Sequence, residues 1–271
     1  MVKSLGATPV LLDALDEDAV RAAVVEYRPD VVVNQLTSLP KHYNPRMLRP
    51  WYAATSRLKV QGTRNLLRAT AEVGARRFIY QSIAFMYANA GPPLLEEHAP
   101  LAFKAPEPFG ALVRTTAEGE QLTTSASEVT GVVLRYGQIY GAGTYYGPRG
   151  DFQRLAKGRM LPIVGSGAGI FSFLHVSDAA SAAVAALEHG SGLYNITDDD
   201  PAPARDWIPA YCREVGARPP LHVPAWVARI VAGSFATAAA TEARGASNRK
   251  AREELGWTPS IPSWHGRLAA N

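Results

Sequence analysis

Short strand-like runs alternate with helix-period segments over the first half of this chain, and no other feature constrains its fold as strongly. Residues 9–13 read as a short buried strand, 17–27 as a helix and 31–33 as a second strand. A helix is expected over about 56–73, stopping at Gly74, because glycine adopts the left-handed conformation that ends helices. Residues 78–82 form the next strand, 106–128 are mostly helical and stop at Gly131, and 132–135 form another strand. Strand–helix alternation of this kind implies a parallel sheet wrapped by helices, since parallel neighbours need right-handed crossovers. The fold class is therefore α/β, a doubly wound parallel sheet with a small C-terminal lobe.

Past Gly141 the composition turns to Gly, Pro and aromatics, as in Tyr145-Tyr146-Gly147-Pro148 and Gly165-Ser166-Gly167-Ala168-Gly169. The second cluster precedes no clear helix, so it reads as a turn and not a phosphate cradle. Strands are expected near 171–176 and 193–196 around a helix at 178–188. Further helices are expected near 203–215, 225–241 and 247–255. The resulting division assigns 1–141 to the parallel-sheet domain, to which 170–197 return. Residues 142–169 and 198–271 then make a smaller lobe.

Charge narrows the partners. A net charge of +4 with scattered arginines is not the dense basic stripe of a nucleic-acid binder. With 47% hydrophobic residues a sizeable core can form, yet no run reaches membrane-spanning length. Cys212 is the only cysteine, which rules out an intrachain disulfide and reads as a packed thiol in a reducing, cytoplasmic compartment. Asp198-Asp199-Asp200 before Pro201 reads as a solvated turn and not a metal site, because consecutive carboxylates diverge.

Several segments taken in order resemble the extended short-chain dehydrogenase/reductase superfamily, the group of NAD-dependent epimerases and dehydratases. They are Asp13-Ala14-Leu15, Asn34-Gln35-Leu36-Thr37, Gly62-Thr63-Arg64-Asn65-Leu66-Leu67 and Gln81 through Tyr87. Leu134-Arg135-Tyr136-Gly137 through Gly141, Phe173 through Asp178 and Ser247 through Pro259 complete the set. The resemblance implies NAD or NADP as cofactor. It places Asp13, Ala14, Leu36, Thr37, Tyr136 and Gly137 around that cofactor, with Tyr136 standing where a proline usually lies beside the nicotinamide. It also implies a small-molecule substrate and allows a homodimer.

Two departures from the pattern bear on function. A fold of this type opens with a strand, a Gly-x-x-Gly-x-x-Gly loop and a helix whose N-terminus receives the pyrophosphate. This chain starts at what resembles the end of the helix before the third strand, so a βαβ segment of roughly 30–50 residues is expected to be missing. The superfamily's proton chemistry uses Tyr-x-x-x-Lys. Here Phe109 and Val113 stand in those places, Ile83 in that of the active-site serine, and Lys59 where the central helix often carries asparagine. No Tyr or Lys occurs from Ala105 to Gly131, so a shift of register restores neither.

The remaining catalytic candidates are Ser82, Tyr87 and Tyr140. Alternation along the strand turns Ser82 inward, and both tyrosines match structural positions. Arg114 reads as part of a solvated helix face and His175 as a structural residue opening the return helix. The leading functional expectation is an atypical NAD(P)-binding epimerase/dehydratase-family enzyme acting on a small molecule without the Tyr–Lys pair. Three others stand beside it: a non-catalytic nucleotide-binding sensor or partner subunit, a non-redox isomerase or lyase, and an inactive fragment of a longer protein.

Overall fold

A computed structural model describes residues 3–42 and 47–270 of the chain. Helix α1 (Glu17–Tyr27) starts at Asp16, whose side chain accepts from the Ala19 N–H. Glu17 and Asp18 add negative charge at the positive end of its dipole. It leads to β1 (Val31–Asn34). A long helical stretch follows: α2 (Leu48–Arg57), a π-helical turn at Leu58–Gly62, and α3 (Thr63–Glu72), with Gly74 beyond it at φ +69°. Next come β2 (Arg77–Ile83), the short β3 (Leu94–Leu95), α4 (Phe109–Thr124) and β4 (Thr130–Tyr136).

The chain then leaves the main sheet through β5 (Gln138–Tyr140), α5 (Asp151–Lys157), β6 (Ile163–Val164), β7 (Ile170–Phe171) and β8 (Phe173–His175). Helix α6 (Val176–Ala186), opened by His175 as its N-cap, returns it to the sheet as β9 (Gly192–Ile196). The remainder is β10 (Ala202–Pro203), α7 (Ala204–Glu214), β11 (His222–Val223), α8 (Ala225–Val231), α9 (Gly233–Glu242), β12 (Gly245–Ala246) and α10 (Arg249–Glu254).

The main sheet has the order β1-β2-β4-β9, and every pair is parallel. Phe78, Ile79, Val132, Val133 and Leu134 are fully buried, which explains their unbroken apolar runs: a parallel sheet is covered on both faces. Ile79, Leu134, Tyr194 and Ile196 pack with α6 and α10 residues on one face, and Phe78, Tyr80 and Val133 with Leu66 and Leu67 on the other. A separate core in the C-terminal half gathers Tyr140, Tyr146, Phe173, Trp207, Tyr211 and Trp264, with rings meeting mostly edge to face.

Three expectations are corrected. Residues 9–13 form no strand and Leu11 is fully exposed, because no neighbouring edge among the described residues offers them a ladder. The central helix begins at Leu48, well before residue 56, and passes through the π turn without a break. The acidic run is not a solvated turn: Asp198 is buried, Asp199 pairs with Arg252, and Asp200 lies 2.8 Å from His265 Nδ1.

Between β4 and β5, Gly137 sits where a Cβ would lie 2.7 Å from the Ser172 carbonyl oxygen and 3.2 Å from that of Phe173. Both obstacles are backbone, so neither can rotate away. Gly137→Ala is expected to cost about 1–3 kcal/mol, visible as a lower thermal midpoint; an unchanged midpoint would contradict this packing.

Candidate active site

Ligands of open α/β sheets bind outside the carboxyl ends of the strands. At the end of β1, buried Asn34 donates from Nδ2 to Thr63 Oγ1 (2.9 Å) and accepts the Leu36 N–H at Oδ1 (3.0 Å). This ties the Gln35-Leu36-Thr37 segment to the start of α3. Gly62 lies beneath it, where a Cβ would come 2.9 Å from Leu36 Cδ1 and 3.7 Å from the Ala14 carbonyl oxygen. Asn65 Nδ2 donates to that same Ala14 oxygen at 3.1 Å, and Asp13 accepts the Leu15 N–H at 2.9 Å. Ala14 and Leu36 thereby meet at one glycine, and their chain neighbours Asp13 and Thr37 are exposed. A polar acceptor beside a small apolar shelf suits the adenosine side of a dinucleotide.

The other two candidates for cofactor contact have different surroundings. Tyr136 is buried, its phenol receives a long 3.4 Å hydrogen bond from Gln35 Nε2, and burial pushes it up to about 12. Gly137 is buried and donates its N–H to Ile196 O, so its backbone is engaged in packing.

Ser82 and Tyr87 belong to one buried polar network. Ser82 donates to Glu120 Oε1 at 2.6 Å, and Arg135 clamps both Glu120 oxygens at 2.8 and 2.6 Å. Arg135 also donates to the Tyr87 hydroxyl (2.8 Å) and to the Glu97 carbonyl oxygen (2.8 Å), while Tyr87 donates to Asn195 Oδ1 (2.7 Å). Burial raises the Tyr87 phenol above its ordinary range, so it is a neutral hydrogen-bonding group. Tyr140 lies in the C-terminal core, faces the Ser263 carbonyl and packs edge-on against His175; burial raises it too. The structure does not bring Tyr140 together with Ser82 and Tyr87.

Phe109 and Val113, one turn apart on α4, are both buried. They join Met86 and Leu112 in an apolar cluster bordered by Tyr52, Ile83, Leu101 and Phe235. The Phe235 ring, from α9, stacks on Phe109 with centroids 4.0 Å apart and planes at 28°. Arg114 points outward into an ion pair with Glu107. Sequence reasoning missed Phe235, Glu120 and Asn195; Glu120 carried a faint signal as a carboxylate on the buried face of a helix, whereas the others carried none.

Lys59 sits on the π turn and is buried. Its Nζ donates to the Gln81 carbonyl oxygen at 2.5 Å, approaches Gln81 Oε1 at 3.4 Å and lies 4.7 Å above the Tyr80 ring. Desolvation pulls its pKa down to about 7, partly opposed by Glu120.

The model of the NAD dependent epimerase/dehydratase family matches residues 3–197. A 3-diazoavenalumate denitrifying reductase from a Streptomyces species is 48% identical over 265 residues, spanning 96% of this chain and 85% of that protein. Among solved structures, a UDP-glucose 4-epimerase from Thermotoga maritima superposes with a TM-score of 0.73 at 18% identity, over 95% of this chain and 80% of that one. A dTDP-glucose 4,6-dehydratase from Streptomyces venezuelae, crystallised with NAD, gives 0.72 at 18% identity, over 96% and 78%. At that identity the structures speak for the fold alone. The family match over most of the chain, together with the 48% identical relative, makes this chain a member of the NAD dependent epimerase/dehydratase family of enzymes.

Proposed function

We propose that this protein is an NAD(P)H-dependent reductase that removes the diazo group from a small, flat carboxylic acid and releases dinitrogen. The observation that carries the reading is the buried apolar cluster of Phe109, Val113, Met86 and Phe235, in which Phe109 and Val113 stand where the family resemblance implies a tyrosine and a lysine. The relative that is 48% identical along nearly the whole chain bears the name of such a reductase.

When bound, the reduced cofactor supplies a hydride. Asp13, Ala14, Leu36 and Thr37 would hold its adenosine side, and Tyr136 would lie beside its nicotinamide. At a diazonium carbon the hydride alone replaces the departing dinitrogen, and no proton is consumed. Dinitrogen leaves as a neutral molecule, so no oxyanion builds up for a phenol to protonate. The 10²–10⁴-fold that general acid catalysis supplies to carbonyl chemistry is therefore not required. What such a site needs instead is water-free surroundings for the reacting carbon, and a buried cluster of stacked rings with branched aliphatic neighbours beside it supports that.

The test is incubation of the purified protein with NADH or NADPH and 3-diazoavenalumate, with UDP-glucose as the competing substrate class. The expected result is cofactor oxidation equal to the dinitrogen released, with deuterium passing from labelled reduced cofactor into the product. Absence of turnover on the diazo acid, or turnover on the sugar nucleotide in its place, contradicts the proposal.

A further inference from the structure

Lys59 is the only buried lysine among the described residues, and nothing in the scheme above uses it. The π turn at Leu58–Gly62, in which the Thr63 N–H reaches the Leu58 carbonyl, widens the helix where Lys59 departs from it. Such insertions are costly and concentrate at functional positions. The turn aims Nζ at the Gln81 carbonyl, just beyond the point where β1 has ended opposite Tyr80 and two residues before Ile83 closes β2. That location is the carboxyl edge of the sheet, where the reactive half of a dinucleotide lies in folds of this kind.

We propose that Lys59 is a positioning residue whose buried ammonium makes the protein hold the reduced cofactor in preference to the oxidised one. The two cofactor forms differ by one positive charge on the nicotinamide ring. A desolvated cation at the same strand edge repels the ring that carries that charge and leaves the neutral ring alone.

The surroundings do not cancel the lysine's charge. Tyr80 of β2 presents its ring and a phenol kept neutral by burial, and Gln81 presents neutral oxygens. Glu120 of α4 is the one carboxylate that raises the Lys59 pKa, and Arg135 of β4 already clamps both its oxygens. No carboxylate lies within salt-bridge distance of Lys59 among the described residues. With its pKa lowered to about 7, Lys59 is charged in mildly acidic solution and neutral in alkaline solution. The preference should follow that titration.

The test is a fluorescence titration of NAD(P)H and displacement by NAD(P)⁺, performed at about pH 6 and about pH 9 without any diazo acid. In the wild type the ratio of oxidised to reduced Kd is expected to be about ten-fold higher at the lower pH. Lys59→Met, similar in length and uncharged, should give a low ratio at both pH values. Lys59→Arg, charged throughout, should give a high ratio at both. A merely structural lysine predicts ratios independent of pH in all three, and a wild-type pH dependence that survives in Lys59→Met would also overturn the proposal. If Lys59→Met does not fold, the arginine variant still decides, since it must hold the high ratio at alkaline pH. The inference rests on cofactor binding and not on the substrate, so its failure and the failure of the denitrifying reading are read separately.

Discussion

Replacing Arg135 with methionine is expected to destabilise the fold by about 3–5 kcal/mol, the largest single effect foreseen for this protein. Four hydrogen bonds leave this one guanidinium, two to Glu120, one to Tyr87 and one to the Glu97 carbonyl, and all of its partners are buried. Methionine fills much of the same volume, so the loss is not chiefly a cavity. The cost comes from Glu120, left as a carboxylate that is 4% exposed with Ser82 as its remaining side-chain donor. Adding Glu120→Gln removes the stranded charge, and the double variant should be more stable than the single Arg135→Met. Chemical denaturation at constant m-value measures both. A loss below about 1 kcal/mol for Arg135→Met would mean that the network carries little net stability.

Asp198→Asn should have the next largest effect, and in the opposite direction. Asp198 is 3% exposed, one carboxyl oxygen has no partner, and Asp178, Asp199 and Asp200 add like charge around it. Burial above all raises its pKa from 3.8 to about 8. Between those values the folded state keeps a proton that the unfolded state has released. Stability therefore falls as pH rises from about 4 to about 8, and the penalty is complete above that. Asparagine keeps the shape and cannot ionise, so the variant should gain about 2–5 kcal/mol over wild type at alkaline pH and little below about pH 4. Melting curves across that range decide; a constant difference at every pH would show that the carboxyl does not titrate as burial requires.

How much of this protein can be read from its residues depends on the range of the interaction involved. The strand around residues 78–82 and the one around 132–135 are legible because burial on both faces demands unbroken apolar runs, and Gly74 marks a helix stop, whereas the next helix ends at Thr124 and Gly131 already lies in β4. The inward direction of Ser82 follows from period-two alternation, and the structure shows it on Glu120. Residues 9–13 mislead for the complementary reason: Pro-Val-Leu-Leu-Asp has strand-like composition, but a strand exists only with a neighbour to complete its ladder. The acidic run at 198–200 misleads in the same way, since hydrophilic composition does not reveal that Asp198 donates its N–H to Phe173 O and is enclosed there.

By itself the sequence determined the alternation of strands and helices around the parallel sheet and the absence of any tyrosine or lysine from residue 105 to 131, because local periodicity and residue identity require no knowledge of distant contacts. Tertiary structure alone decided that Phe235 stacks on Phe109, that Arg135 joins Glu120 to Tyr87, and that Lys59 is stripped of water beside Gln81. Each of these joins residues well separated along the chain, and burial, charge state and ring stacking are set by what finally surrounds a group.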